Sequence, residues 1–191
     1  MVRDQVLVRK PVGIESAGSM NILFTDKTGT LTEGKMRLSS ILLPDGNETT
    51  LAKLSRSHSR TWELTSLMLQ LGTDATVGMG EDGKPIALGG NATARALLES
   101  VMELPQPEGV RALSRLPFDS TRKYAAVSLG GRECLTLILG APERLFPLVS
   151  EQMRADGAIL PFSRSRAEES VKKQTRNGKR VLAMALSREN I

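Results

Sequence analysis

Residues 26–32 read Asp-Lys-Thr-Gly-Thr-Leu-Thr, directly behind the apolar run Asn21-Ile22-Leu23-Phe24. No other feature constrains the first part of the chain as tightly. The apolar run predicts a strand that carries Asp26 to a sheet edge, and Gly29 lets the backbone turn closely behind it. Thr28, Thr30 and the exposed amides of such a turn supply donors to an anion, phosphate above all. A carboxylate placed there suits a covalent phosphoryl acceptor. An aspartate in a Thr/Gly-rich turn is more often a plain Asx-turn or helix cap. That role tolerates many neighbours, however, and does not require this string.

The rest of the chain reads as alternating short strands and helices. Segments 5–10 and 21–24 are expected to be strand-like, as is Met36–Leu43, which ends in a Pro44-Asp45-Gly46-Asn47 turn. Between Thr50 and Gln70, apolar residues recur at helical spacing (Leu51, Leu54, Trp62, Leu64, Leu67, Met68), predicting one or two helices closed by Gly72. The glycine-rich stretch 76–90 shows no periodicity and reads as a loop. Asn91 is placed to cap a helix through Met102 with Ala94, Leu97, Leu98 and Val101 on its buried face. Tyr124–Leu129 and Glu133–Leu139 flank Gly130-Gly131, a hairpin signal. Pro142 suits the first turn of a short helix. An amphipathic segment from Ser163 to Arg176 stops at Asn177-Gly178, and Arg180–Leu186 reads as a closing strand. The expected class is α+β, an antiparallel sheet flanked by helices.

At 191 residues, 40% of them hydrophobic and 25% charged, the chain has material for one or two domains with a core. Aromatics make up only 3%, so that core must be built from Leu, Val, Ala, Met and Ile. The net charge of +5 is spread along the chain without interleaved aromatics. That argues against nucleic-acid binding and for attraction of polyphosphates near a nucleotide site. One cysteine, Cys134, and one histidine, His58, leave almost no material for a disulfide or a soft-metal site. Cys134 is expected as a buried strand thiol and His58 as a solvated helix residue. No run approaches the ~18 apolar residues of a membrane helix, so no direct membrane contact is expected of this chain.

The seven residues Asp26–Thr32 resemble the phosphorylation signature of the P-type cation-transporting ATPases, in which the aspartate becomes an aspartyl-phosphate. Further runs carry the resemblance across essentially the whole chain. Val8–Met20, with Arg9, Lys10 and Glu15, resembles the linker before that signature in type-II pumps, the calcium and sodium/potassium-like branch; taken with the other runs, the resemblance is to the calcium-ATPase-like pumps of that type. Gly90-Asn91-Ala92-Thr93 resembles a motif that opens a helix of the nucleotide domain. Phe118, followed five residues later by Lys123, resembles the family's adenine-stacking phenylalanine and pocket lysine. Gly140-Ala141-Pro142-Glu143 resembles the run that lets adenine approach the backbone. Gly178–Ala183 resembles the run whose arginine, here Arg180, contacts nucleotide phosphate. Two positions depart from the pattern: Leu139 replaces a lysine and Ala94 a glutamate that line the adenine site. The expected consequence is weakened or altered ATP binding.

The resemblance implies two parts. Residues 1–35 would begin a haloacid-dehalogenase-like phosphorylation domain, present only as a short, incomplete segment, and residues 36–191 would form the nucleotide-binding domain. Asp26, Lys27, Thr28 and Thr30 would be catalytic, with Asp26 and the main-chain carbonyl of Thr28 among the Mg²⁺ ligands. Phe118, Lys123, Gly140, Ala141 and Arg180 would bind ATP. Thr28 stands where related phosphatases place an acid/base aspartate, which favours a lasting acyl-phosphate over rapid hydrolysis. The Gly-Asp-Gly-x-Asn-Asp run that completes the family's magnesium site is absent. The expectation is therefore the cytoplasmic portion of a membrane transporter that binds ATP without turning it over. Its partners would be the remaining phosphorylation, actuator and transmembrane domains. Two further classes stay open: a soluble haloacid-dehalogenase-superfamily phosphohydrolase, and a degenerate non-catalytic regulatory module.

Overall fold

The computed structural model describes residues 10, 12–105, 108–131 and 134–189, and the strand expected at 5–10 falls almost wholly outside them. The chain divides into two compact units, Met1–Lys35 and Met36–Ile191.

In the first unit, helix α1 (Val12–Gly18) buries none of its residues. The strand expected over 21–24 does not form: these residues are irregular and exposed, Phe24 to 93%. A strand needs a neighbour for its amides and carbonyls, and none of the described residues of this unit pairs with the run. Asp26 accordingly lies in an irregular loop instead of at a sheet edge. The signature does fold locally. The amides of Leu31 and Thr32 both donate to the Lys27 carbonyl at 3.1 Å, and Gly29 takes φ +81°.

The second unit opens with β1 (Ile41–Leu42) and β2 (Glu48–Thr49) around the expected Pro44–Asn47 turn. β1 is far shorter than the strand expected over Met36–Leu43. Helices α2 (Leu51–Arg56) and α3 (Arg60–Leu71) follow. Thr50 and Ser59 cap them by accepting from the amides of Lys53 and Trp62. Gly72 closes α3, and its amide donates to the Met68 carbonyl at 2.9 Å. The stretch read as a loop is instead an antiparallel hairpin, β3 (Ala75–Met79) with β4 (Pro85–Gly89). Its inward residues, Ala75 and Ala87, are small and form a cluster with Ala94 and Leu98 of α4 (Ala92–Glu99). Alanines carry too little hydrophobic contrast for the alternation to show in sequence.

Three longer strands follow: β5 (Val110–Asp119), β6 (Tyr124–Gly131) and β7 (Leu135–Gly140). A short helix, α5 (Pro142–Leu145), leads through a 3₁₀ turn at Phe146–Leu148 into a second small hairpin, β8 (Glu151–Met153) with β9 (Ile159–Pro161). Helix α6 (Arg164–Arg176) ends at Asn177-Gly178 as expected, and β10 (Ala183–Ser187) completes an antiparallel sheet of order β10-β7-β6-β5. Cys134 is exposed just ahead of β7, correcting the expected buried thiol. Strand β5 has no counterpart in the sequence reading, because Arg111, Ser114, Arg115 and Pro117 break up its apolar pattern. As an edge strand it tolerates the proline.

The core lies where α3 and α4 meet one face of this sheet. Met68, fully buried, joins Leu64 and Leu67 of α3, Leu97 of α4 and Val101 just beyond it. Opposite them are Val127 and Leu129 of β6 and Leu137 and Leu139 of β7, alternate residues that share one face. On the other face the hydroxyls of Ser128 and Thr136 meet at 2.7 Å, directly opposite in register.

Glu48 joins β2 to the end of α6. It accepts from Lys179 Nζ at 2.9 Å, from Ser40 Oγ at 2.8 Å and from Gln174 Nε2. The Lys179 hydrogen bond foremost, then those of Ser40 and Gln174, lower its carboxyl from 4.5 to about 2. A depressed carboxyl stabilises the fold above its unfolded value and loses that contribution as pH falls toward the folded one. Between pH 4.5 and about 2, the wild type should therefore lose melting temperature more steeply than Glu48→Gln. Thermal unfolding of both proteins across that window checks the difference. Parallel curves would remove Glu48 from the acid sensitivity of the fold.

Candidate functional site

One end of the main sheet gathers the residues singled out for nucleotide binding. Asp119 pairs with Tyr124, Tyr124 with Gly140, and Gly140 with Ala183, a single row across all four strands. Phe118 precedes the first member of this row, Lys123 the second, and Ala141 follows the third. Arg180 lies three residues before the last. At ~4.8 Å per strand step, the row spans roughly 14 Å.

The turn between β5 and β6 is built by Asp119. Its Oδ1 accepts from the amides of Thr121 and Arg122, each at 2.9 Å. Those two amides, Arg122's first, hold the carboxyl below its ordinary range. Lys123 closes the turn at φ +62°. Its carbonyl accepts the Ala141 amide at 2.9 Å, tying the start of β6 to the end of β7. Its ammonium lies 3.1 Å from Glu143 Oε1 in the first turn of α5. The Glu143 carboxyl is lowered by its own backbone amide and then by Lys123. Both side chains are about half exposed, and exposed pairs of this kind contribute under ~1 kcal/mol. A polyphosphate can therefore compete with Glu143 for the Lys123 ammonium at little cost.

Gly140 allows this crowding. A Cβ there would lie 2.4 Å from Tyr124 Cβ and 2.8 Å from the Lys123 carbonyl oxygen. Phe118 is 44% exposed. Its amide donates to Asp74 Oδ2 at 3.0 Å. Arg180 adjoins this end of the sheet, where its Nη1 donates to Thr93 Oγ1 at 3.1 Å in the first turn of α4. Two residues on, Arg95 donates to the carbonyls of Gly89 and Gly90 at 3.2 and 2.8 Å.

Sequence reading missed Asp74, Arg144 and Arg95. Asp74 precedes a strand mistaken for a loop. Arg144 donates to the Thr121 carbonyl at 3.2 Å and so braces the same turn from α5. Nothing local in the sequence signals either contact, since each joins residues far apart in the chain. Both departures from the family pattern are buried apolar residues. Leu139 is 8% exposed within the main core, and Ala94 is 8% exposed in the small alanine cluster.

Asp26, Lys27, Thr28 and Thr30 belong to the other unit, and all four are exposed. Asp26 Oδ1 accepts the Thr28 amide at 3.4 Å, an Asx-type contact on an exposed side chain. Among the described residues no group of three or more His, Cys, Asp or Glu could hold a metal ion. The loop thus supplies hard oxygen donors of the kind Mg²⁺ prefers, but a single carboxylate, which suits an ion completed by substrate phosphates and water.

Compared with known proteins, the chain is similar to cation-transporting ATPases. It is 30% identical over 190 residues to "Potassium-transporting ATPase alpha chain 2" of Homo sapiens, covering 88% of this chain and 18% of that protein. It is 28% identical over 207 residues to "Probable cation-transporting ATPase F" of Mycobacterium tuberculosis, covering 97% and 23%. A third relative, "Probable calcium-transporting ATPase 6, plasma membrane-type" of Oryza sativa, is 30% identical over 176 residues, covering 85% and 17%. The chain thus spans about a fifth of the length of the curated relatives it matches. No protein-family model matches it. The similarity supports the cation-transporting ATPase reading and does not single out the calcium branch, since potassium and calcium transporters match alike. Among the described residues no helix is long and apolar enough to cross a membrane.

Proposed function

We propose that this chain is the nucleotide-binding portion of a cation-transporting P-type ATPase, with residues 1–35 as the start of its phosphorylation domain and 36–191 as its nucleotide-binding domain. The observation that carries the reading is the row at the end of the sheet. Phe118, Lys123, Gly140 and Ala141, read separately from the sequence, come together there, with Arg180 on the adjoining flank.

The chemistry follows from the residue types. Phe118 presents an exposed aromatic face on which adenine stacks. Gly140 lets Tyr124 and the Lys123 carbonyl pack tightly at the strand end, Ala141 adds only a methyl group beside the base, and Lys123 and Arg180 draw the phosphates. In the whole protein, on the cytoplasmic side of the membrane, an Asp26 carboxylate oxygen bonds to the γ-phosphorus of ATP. The bond to the β–γ bridging oxygen breaks, and ADP leaves with the electron pair. Asp26 and the Thr28 carbonyl would hold Mg²⁺, which would supply charge neutralisation at the phosphates. Lys27 and Thr30 flank the transferred group in the same loop. The acyl-phosphate then drives the membrane domain between its two faces. This chain alone binds ATP without turning it over, because the remaining phosphorylation, actuator and transmembrane domains complete the cycle.

Replacing Phe118 by Ala tests the site. Base–aromatic stacking is worth about 1–3 kcal/mol, so ATP affinity should fall about 5- to 150-fold. Tripolyphosphate, which has no base, should bind the two proteins alike. Isothermal calorimetry on the chain measures both. ATP affinity unchanged in Phe118→Ala, or no ATP binding by the wild type at millimolar concentration, would overturn the assignment.

A further inference from the structure

Strand β5 loses register just before the site. Leu116 faces Ala126 and Asp119 faces Tyr124, so Pro117 and Phe118 together oppose Ala125 alone. This is a β-bulge, the device by which a strand re-aims a side chain at its end. It leaves the Phe118 amide in need of a partner outside the ladder, and Pro117 has no amide to offer. Asp74 supplies the acceptor at 3.0 Å, from a position 44 residues earlier in the chain. A second tie runs alongside it, from Arg115 Nη1 to the Thr73 carbonyl at 3.4 Å.

Asp74 is itself held in place. It sits at the head of β3, where Gly90, at φ +56°, passes close behind it. A Cβ on Gly90 would come within 3.2 Å of the Asp74 carbonyl carbon and 3.1 Å of the Ala75 amide nitrogen. Gly90 leads directly into Asn91, the N-cap of α4, and Thr93, which receives Arg180. One short segment therefore connects the phosphate-side flank to the base-side bulge.

We propose that Asp74 is a positioning residue of the nucleotide site, its carboxylate fixing the bulge that presents the Phe118 ring to an adenine base. This rests on the nucleotide-binding reading. Asp74 touches the base only through Phe118, so its effect must be confined to ligands that carry a base and must vanish once the ring is gone.

The experiment is a double-mutant cycle on the full chain, read by calorimetry with ATP and with inorganic tripolyphosphate. Asp74→Ala should weaken ATP binding about 5- to 10-fold and leave tripolyphosphate binding unchanged. Asp74→Asn keeps a carbonyl oxygen as acceptor and should stay within about threefold of the wild type for ATP. In a Phe118→Ala background, Asp74→Ala should add nothing. Hydrogen exchange at the Phe118 amide should quicken in Asp74→Ala, a readout that needs no ligand. Circular dichroism confirms that each variant is folded; if Asp74→Ala is not, the Asn variant and the exchange measurement decide. Three results would overturn the inference: wild-type ATP affinity in Asp74→Ala, equal loss for both ligands, or additivity with Phe118→Ala. Failure of the wild type itself to bind ATP would instead overturn the nucleotide reading.

Discussion

Leu139→Lys should destabilise the chain by about 3–5 kcal/mol, the range seen when an uncompensated charge is left in a protein interior. The cause is placement. Leu139 is 8% exposed and belongs to the same core as Met68, Val127, Leu129 and Leu137. Its backbone pairs with Ala125 on one side and Met184 on the other, which fixes the face it occupies. Shifting the side chain to the opposite face would require slipping the register of both neighbours. A lysine there loses water without gaining a partner, so burial favours its neutral form. The unfolded chain then binds more protons than the folded one, and the deficit should shrink as pH rises from 7 toward 10. Leu139→Met, which conserves volume, should cost under about 1.5 kcal/mol. Urea unfolding at pH 7 and pH 10 measures all three. ATP affinity should not rise in the lysine variant, although a lysine at this place is what the family pattern prescribes. A cost below about 1 kcal/mol together with tighter ATP binding would mean that the side chain turns outward to the site, and would refute the core assignment.

The same residue shows how far the sequence could be read. The resemblance set Leu139 at a position that lines an adenine site and grouped Phe118, Lys123 and Gly140 around the same ligand; the structure brings those three to one end of the sheet. Spacing along one strand does not say which face a side chain takes, and Leu139 faces the core. Helix α3 was legible because a capping serine, an apolar stripe and a terminal glycine coincide, α4 through its Asn91 cap and apolar stripe, and α6 through its terminal asparagine–glycine pair. β6 and β7 were legible because their apolar runs flank a glycine pair. Strands whose inward residues are small or polar were not. Ala75 and Ala87 hid β3 and β4, and Arg111, Ser114, Arg115 and Pro117 broke the apolar pattern of β5 and hid the strand that carries Phe118. The expected strand at 21–24 failed for the converse reason. Ile22, Leu23 and Phe24 have strand propensity, but propensity alone cannot supply the neighbouring strand that a ladder requires. Asp74 was invisible because its contact with Phe118 spans 44 residues of sequence.

Gly140→Val should weaken ATP binding at least tenfold and destabilise the fold by about 2–3 kcal/mol, near the upper end for overpacked positions. The position is crowded by backbone as well as by side chains, which is what distinguishes it from an ordinary core site. A Cβ would sit 2.4 Å from Tyr124 Cβ, 2.8 Å from the Lys123 carbonyl oxygen and 3.0 Å from Tyr124 Cα. None of these atoms is the end of a flexible side chain, so relief requires β6 and β7 to part at this end. That movement strains the Lys123 carbonyl to Ala141 amide bond, a tie that holds the site's two halves together. It also disturbs the pairing of Gly140 with Ala183, the last step of the row toward Arg180. The loss of binding should therefore exceed what the stability deficit explains. Measured at low temperature, where circular dichroism shows the variant folded, ATP affinity should still be at least tenfold weaker. Tripolyphosphate should weaken as well, because Lys123 moves along with the base pocket. Gly140→Ala should show the same effects in reduced form, since its Cβ already meets Tyr124. A folded Gly140→Val protein with wild-type affinity for both ligands would separate the sheet end from nucleotide binding and send the search for the site elsewhere on the fold.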